Sequence, residues 1–229
     1  MIAPSPHAPY ELAFTSALPH GVLIGVHLPP VADPVPEHIL ERLQDLEQEY
    51  ARATRGFRQV QFVGGRLAVA TGLSELGARR TPVLPNEHGA PIVGPGITVS
   101  ISHKQDLAVA LVARGDAGLG VDIEDTDRER PGVARRVLTV AELAQNHSLP
   151  ASRQWVDTVI RFSLKEAIYK AIHGHLRRYV GFGEVAVWPA PDGADRVESL
   201  VPDLEQFTFE ARHFWFGSRI VSTVRARLR

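Results

Sequence analysis

A chain of 229 residues has room for one large domain or two of about 100 residues each, and either arrangement buries a proper core. Its 25 basic and 26 acidic side chains balance, so no global field points to nucleic acid or to an anionic membrane, and any anionic ligand has to be held locally. The absence of cysteine excludes disulfides, thiolate nucleophiles and cysteine-based zinc sites. Met1 to Tyr10 lacks the basic start and apolar stretch of a signal peptide, and no apolar run is long enough to span a bilayer. The expected setting is therefore soluble and cytoplasmic, with neither membrane nor nucleic acid as partner.

In chain order, residues 1–36 carry short apolar stretches such as Val22-Leu23-Ile24-Gly25-Val26 between prolines, which predicts one or two strands. Apolar residues recur at helical spacing over Glu37–Tyr50 and again over Arg66–Leu76. Residues 81–96, rich in Pro, Gly and Asn, read as an irregular loop. Ile97–His103 and Leu107–Val112 are β-like, and a further strand, Leu119–Ile123, ends in the acidic cluster Glu124, Asp125 and Asp127. Beyond it Val133–Leu138, Val140–Ala144 and the longer Trp155–Ile172 are predicted helices, and Val185–Trp188, Phe207–Ala211 and Phe214–Val224 predicted strands. The class expected is α+β, in two halves of similar character, 1–115 and 116–229, with the boundary near Gly115. The sequence carries no visible repeat, low-complexity tract or long linker.

Three constellations offer chemistry. In Gly120-Val121-Asp122-Ile123-Glu124 two carboxylates two residues apart on a strand project to one face, about 7 Å apart at Cα, so that both converge on one hard cation. Magnesium takes few carboxylates together with substrate phosphate and water, and this set suits it; a solvated turn is the competing interpretation. In Phe162-Ser163-Leu164-Lys165-Glu166-Ala167-Ile168-Tyr169-Lys170, Glu166 and Lys170 sit at i and i+4 and share a helix face, either as a carboxylate for the metal and an ammonium for a phosphate or as a surface pair worth about 0.3–0.5 kcal/mol. Ser100-Ile101-Ser102-His103 ends a strand with hydroxyls and an imidazole able to bond phosphate oxygens, or with an ordinary structural histidine. Arg58 and Arg66, flanking Phe62 and Gly64-Gly65, offer guanidinium forks for phosphate, and the glycines are expected to let a ligand approach the backbone closely. No P-loop, dinucleotide fingerprint or zincin motif is present.

The order of these motifs, Gly89-Ala90-Pro91, Ser100-Ile101-Ser102-His103, Gly120-Val121-Asp122-Ile123-Glu124, then Phe162-Ser163-Leu164-Lys165-Glu166 with Lys170, resembles the Sfp-type phosphopantetheinyl transferases. Arg58-Gln59-Val60-Gln61-Phe62-Val63-Gly64-Gly65-Arg66 is similar to the R-x-x-E-F-x-x-G-R stretch of the subgroup that includes enterobactin synthase component D, with Gln61 in place of the usual acid. Ala90 and Lys104 are further departures, where relatives carry a basic residue and a Ser or Thr.

The resemblance implies two similar halves in a pseudo-dimer with coenzyme A in the cleft between them. It implies Asp122, Glu124 and Glu166 as magnesium ligands and Lys170 as the lysine near the pyrophosphate, and Glu166, directly or through a bound water, is then the candidate base because it would lie beside both metal and nucleophile. It implies Ser102, His103, Lys165 and Lys170 as coenzyme A contacts, with Arg58 and Arg66 near the 3′-phosphate. The implied reaction is transfer of phosphopantetheine from coenzyme A to a serine of an apo-carrier protein of polyketide, peptide-synthetase or fatty-acid synthesis, with secondary metabolism favoured. Two halves in one chain make a monomer sufficient. A metal-dependent phosphohydrolase attacking with water, and a non-catalytic coenzyme A-binding module, are the alternatives from other classes.

Overall fold

The computed structural model describes residues 8–176 and 178–229, so the expectation for Met1 to Tyr10 lies mostly outside the described residues. The chain divides into two compact units, Met1–Asp116 and Ala117–Arg229. Among the described residues no helix is long and apolar enough to cross a membrane.

In the first unit a hairpin of β1 (Leu12–Leu18) and β2 (Gly21–His27) leads into α1 (Glu37–Leu40), α2 (Asp45–Ala53) and α3 (Gly56–Glu75). The two-residue strands β3 (Leu84–Pro85) and β4 (Pro91–Ile92) pair within the expected loop, and β5 (Ile97–His103) and β6 (Leu107–Arg114) complete an antiparallel sheet of order β1-β2-β6-β5. Its core joins Ile24, Val26 and Leu28 of the sheet side to Val60, Val63, Leu67 and Ala68 of α3.

The second unit opens with β7 (Gly118–Asp125), continues through α4 (Val133–Val137), α5 (Val140–Ser148) and α6 (Ala151–Leu176), and ends in β8 (Val185–Trp188), β9 (Ala194–Ser199), β10 (Phe207–Phe216) and β11 (Arg219–Leu228). The sheet runs β7-β11-β10-β9-β8, antiparallel throughout. Its core gathers Leu164, Ala167, Ile168 and Ile172 of α6 with Val187, Ile220 and Val224. Both units are thus α+β, each an antiparallel sheet with one long helix against it.

The structure differs from the sequence expectation in four places. The single helix expected over Glu37–Tyr50 is two, because Glu47 accepts from the Gln44 N–H at 3.0 Å and restarts the helix there. The next helix begins at Gly56 rather than Arg66: glycine is a poor helix former, but at Gly64 and Gly65 side chains of the sheet side press on the helix. A Cβ on Gly64 would lie 2.2 Å from Leu28 Cδ2, and one on Gly65 would lie 3.0 Å from Ile101 Cγ2. These glycines therefore serve the packing of helix on sheet, not the approach of a ligand. Phe207–Phe216 is one strand, the hairpin turning at Gly217 with φ 60. Ala194–Ser199 is an unexpected strand, mostly polar and paired with β8 and β10.

One polar device recurs in both units. In the first, Glu47 Oε1 accepts from the Val83 N–H at 2.9 Å while the Arg66 Nε donates to the carbonyl of the same Val83. In the second, Glu142 Oε1 accepts from the Val187 N–H at 2.7 Å while an Arg161 Nη1 donates to the Val187 carbonyl at 2.6 Å. Each glutamate also accepts from the N–H that opens its own helix, Gln44 in one case and Thr139 at 2.7 Å in the other. A single shift in numbering carries α2 onto α5, the start of α3 onto that of α6, Glu47 onto Glu142 and Arg66 onto Arg161. The repeat invisible in the sequence is present as a clamp that satisfies both polar groups of one buried residue.

Candidate functional site

The carboxylates sit where β7 meets α6. A Cβ on Gly120 would lie 1.7 Å from the Ala167 carbonyl oxygen, and one on Gly118 would lie 1.9 Å from that of Ala171. The helix backbone thus rests directly on two alternate positions of the strand, and strand alternation places Asp122 and Glu124 on this same face, further along. Turning the other way along α6 from Ala171 and Ala167 reaches Glu166 and then the turn holding Phe162 and Val159. The glycine of the G-V-D-x-E stretch is required by backbone contact between strand and helix.

Asp122 is 5% exposed, and the Lys170 Nζ donates to its Oδ1 at 2.8 Å and to the Val121 carbonyl at 2.9 Å. Glu166 is partly buried and holds its proton above the ordinary carboxylate range; burial is the main cause, with repulsion from Asp122 and then Glu124 adding to it and Lys170 opposing it. The three carboxylates therefore share one electrostatic neighbourhood. They are not drawn into a closed cage: among the described residues no three His, Asp or Glu side chains stand in a geometry ready for a metal ion. The donor set nonetheless fits a hard divalent cation, which takes oxygen ligands and would relieve the repulsion that raises Glu166.

Beside Glu124 opens a pocket of about 190 Å³ whose walls include Val133, Val137, Trp155, Val159, Phe162 and Phe182, with the exposed Arg130 and Arg136 also lining it. Sequence analysis missed this feature. Its signal lies in Trp155, Val159 and Phe162 at i, i+4 and i+7, one stripe of a helix, and in the arginines crowded between β7 and Thr139.

Lys165 requires a correction. It is 2% exposed, and its Nζ donates to Glu142 Oε2 at 2.7 Å, to the Val137 carbonyl at 2.9 Å and to the Phe182 carbonyl at 2.7 Å. All three ammonium hydrogens are committed inside the fold, which leaves none for coenzyme A. Burial lowers its pKa, opposed by the bond to Glu142.

The remaining expected ligands lie in the first unit. Arg58 is exposed in the first turn of α3, and His103 is exposed at the end of β5 after the mostly buried Ser102. Arg66 is 6% exposed, held on Val83 and lying over the Phe62 ring at 4.3 Å, and burial lowers its pKa to about 10. It is first of all a member of the clamp, and Arg58 is the more accessible arginine.

Comparison with known proteins gives the family. The family model of the 4′-phosphopantetheinyl transferase superfamily matches residues 118–224, and that of the 4′-phosphopantetheinyl transferase N-terminal domain matches residues 46–113. The 4′-phosphopantetheinyl transferase PptT of Mycobacterium tuberculosis is 31% identical over 133 residues, 57% of this chain and 58% of that protein. The 4′-phosphopantetheinyl transferase Svp of Streptomyces mobaraensis is 30% identical over 156 residues, 62% of this chain and 59% of that one. The match thus spans less than two thirds of the length of these two relatives. A holo-[acyl-carrier-protein] synthase of an Exiguobacterium species is 36% identical over 97 residues, 36% of this chain but 79% of its own length. With both family models matched in order and the carboxylate strand and lysine-bearing helix brought together, the chain belongs to the 4′-phosphopantetheinyl transferase superfamily.

Proposed function

We propose that the protein transfers 4′-phosphopantetheine from coenzyme A to a serine hydroxyl of an apo-carrier protein. The observation that carries this is the meeting of Asp122, Glu124, Glu166 and Lys170 where β7 and α6 touch, in a chain of this family. In the reaction the serine oxygen bonds to the β-phosphorus, the bond from that phosphorus to the bridging oxygen breaks, and adenosine 3′,5′-bisphosphate leaves with the electron pair. Glu166 is the base for the serine proton, as the carboxylate that stands beside Asp122, Glu124 and Lys170 where the phosphoryl group would be held. Lys170, fixed on Asp122 and still 28% exposed along its side chain, places positive charge beside the pyrophosphate.

Asp122, Glu124 and Glu166 would hold magnesium. When bound, that ion supplies neutralising charge for the phosphoryl oxygens. Arg58, Ser102 and His103 are the proposed contacts to coenzyme A phosphates, Arg58 and His103 by virtue of their exposure. The pocket, apolar on Val133, Val137, Trp155, Val159, Phe162 and Phe182, suits a carrier that presents an apolar side chain beside its serine.

The test is the mass of an apo-carrier after incubation with the protein, coenzyme A and magnesium. A gain of one phosphopantetheine is expected. Coenzyme A hydrolysis without a carrier product would instead make the protein a phosphohydrolase, and binding without turnover a coenzyme A-binding module.

A further inference from the structure

In the first unit the clamp residues Glu47 and Arg66 have Arg80 beside them, its Nη2 4.0 Å from Glu47 Oε2. The position on α3 that corresponds to Lys165 is Ala70, by the same shift that carries Arg66 onto Arg161. In the second unit Arg161 already answers Glu142 and the Val187 carbonyl, and it further donates to Asp157 Oδ2 at 2.9 Å and Gln145 Oε1 at 2.6 Å. Lys165 holds Glu142 Oε2 at 2.7 Å, closer than Arg161 at 3.9 Å, but burying an ammonium for that one ion pair is costly.

What its other two donors hold is specific. The Val137 carbonyl ends α4, and the Phe182 carbonyl lies in the 3-10 turn Phe182–Glu184. Val137 and Phe182 are both walls of the pocket beside Glu124. The two segments come from opposite sides of α6 in the sequence, and Lys165 fastens both to the helix one residue from Glu166. Phe182 further packs on Phe162, ring centroids 5.6 Å apart, one turn before Glu166.

We propose that Lys165 is a positioning residue for the reaction: it fixes the two pocket walls, Val137 and Phe182, to the turn of α6 that carries Glu166, so that the incoming nucleophile and its base are set together. This rests on the proposed transferase activity. It predicts that losing the ammonium harms use of the carrier and spares the binding of coenzyme A, since the coenzyme A contacts proposed above do not run through Lys165.

The experiment uses the full chain with Lys165→Met and with the double variant Lys165→Met/Glu142→Gln, which avoids leaving a buried carboxylate unpaired should the single variant fail to fold. Because the chain has no cysteine, Lys165→Cys provides a sole thiol; alkylating it with 2-bromoethylamine in denaturant and refolding restores an ammonium at nearly the same reach. The expected result, per folded molecule, is a fall of about tenfold or more in kcat/KM for the carrier, with KM for coenzyme A changed less than about twofold. Recovery is expected in the aminoethylated protein. Amide hydrogen exchange should meanwhile accelerate at Gly181–Glu184 and Val137–Thr139 ahead of α6.

A matching rise in KM for coenzyme A, unchanged carrier kinetics, or native exchange at those amides would each overturn the proposal. If the native protein transfers nothing to any carrier, the functional reading fails on that result, and the exchange of the two wall segments still decides whether Lys165 holds them.

Discussion

The two units solve the same packing problem with the small residue on opposite partners. In the first, the helix gives way: a Cβ on Gly72 of α3 would come 2.6 Å from Val112 Cγ2, and Ile24 fills the strand side. In the second, the strand gives way: at the corresponding helix position stands Ala167, and Gly120 of β7 lies beneath it. Beyond this crossing the first unit continues with the buried Val26 and Leu28, and the second with Asp122 and Glu124. The helix changes in step, since Thr71 and Glu75 of α3 correspond to Glu166 and Lys170 of α6. One scaffold thus serves as a filled core in one unit and as a carboxylate site in the other. The two units differ at these facing residues and share the clamp.

The sharpest way to break the comparison is through the clamps. Glu142→Leu strands a buried Lys165 and Arg161 and should cost about 3–5 kcal/mol, whereas Glu47→Leu strands the Val83 and Gln44 N–H groups beside a partly exposed Arg80 and should cost about 1–3 kcal/mol. Urea unfolding of each variant measures both, and equal costs would mean that Lys165 adds nothing to the second clamp.

Next come the crossings. Gly120→Ala forces a methyl onto a carbonyl oxygen that cannot move alone, and should cost more than about 3 kcal/mol. Gly72→Ala meets a valine methyl that can shift, and about 1–2 kcal/mol is expected. The reverse order would show that the helix of the second unit is free to ride away from its strand.

For activity, Asp122→Asn or Glu166→Gln should lower kcat about a hundredfold, equivalent to about 2.7 kcal/mol, while Thr71→Val, the counterpart change in the first unit, should leave transfer within about threefold. Near-native turnover in either acidic variant at saturating magnesium would remove that residue from the site.

The smallest effect is the pH response of Glu166. Its folded pKa lies above the unfolded value, so the folded state binds the extra proton between the two. The contribution of this group to stability is full below the ordinary glutamate range and is lost as pH rises through the raised value. Glu166→Gln should therefore flatten the decline of Tm with pH in that window, and magnesium should raise the Tm of the native protein more above the window than below it. Superimposable Tm profiles for native and variant protein would contradict the burial and repulsion assigned here.

Much of this arrangement was legible in the chain. Ile97–His103 and the strand ending in Asp122 and Glu124 declared themselves by apolar runs closed by polar residues, and Glu166 and Lys170 by helical spacing. What escaped depended on partners far away in sequence. Nothing adjacent to Lys165 says that its donors go to Glu142 and to carbonyls at 137 and 182, although Thr139 followed by Glu142 is the local signature of a capped helix and marked where that glutamate would be buried. Gly64 and Gly65 spoke against a helix by propensity and were overruled by packing. The strand Ala194–Ser199 escaped because its side chains are mostly polar and only its pairing defines it.

The strand bearing Asp122 and Glu124 is an edge of its sheet, and its partner there is β11. Asp125 and the Arg219 that binds it are 94 positions apart. At ribosomal rates of about 5–20 residues per second, the nascent carboxylate strand waits roughly 5 to 20 seconds for that partner. An unpaired strand edge in that interval is a template for wrong association, and charged side chains on the face that will turn inward discourage it. The acids of β7 therefore have a duty before there is any site for them to form: they keep the newborn edge of the second unit from pairing with the wrong chain until β11 arrives.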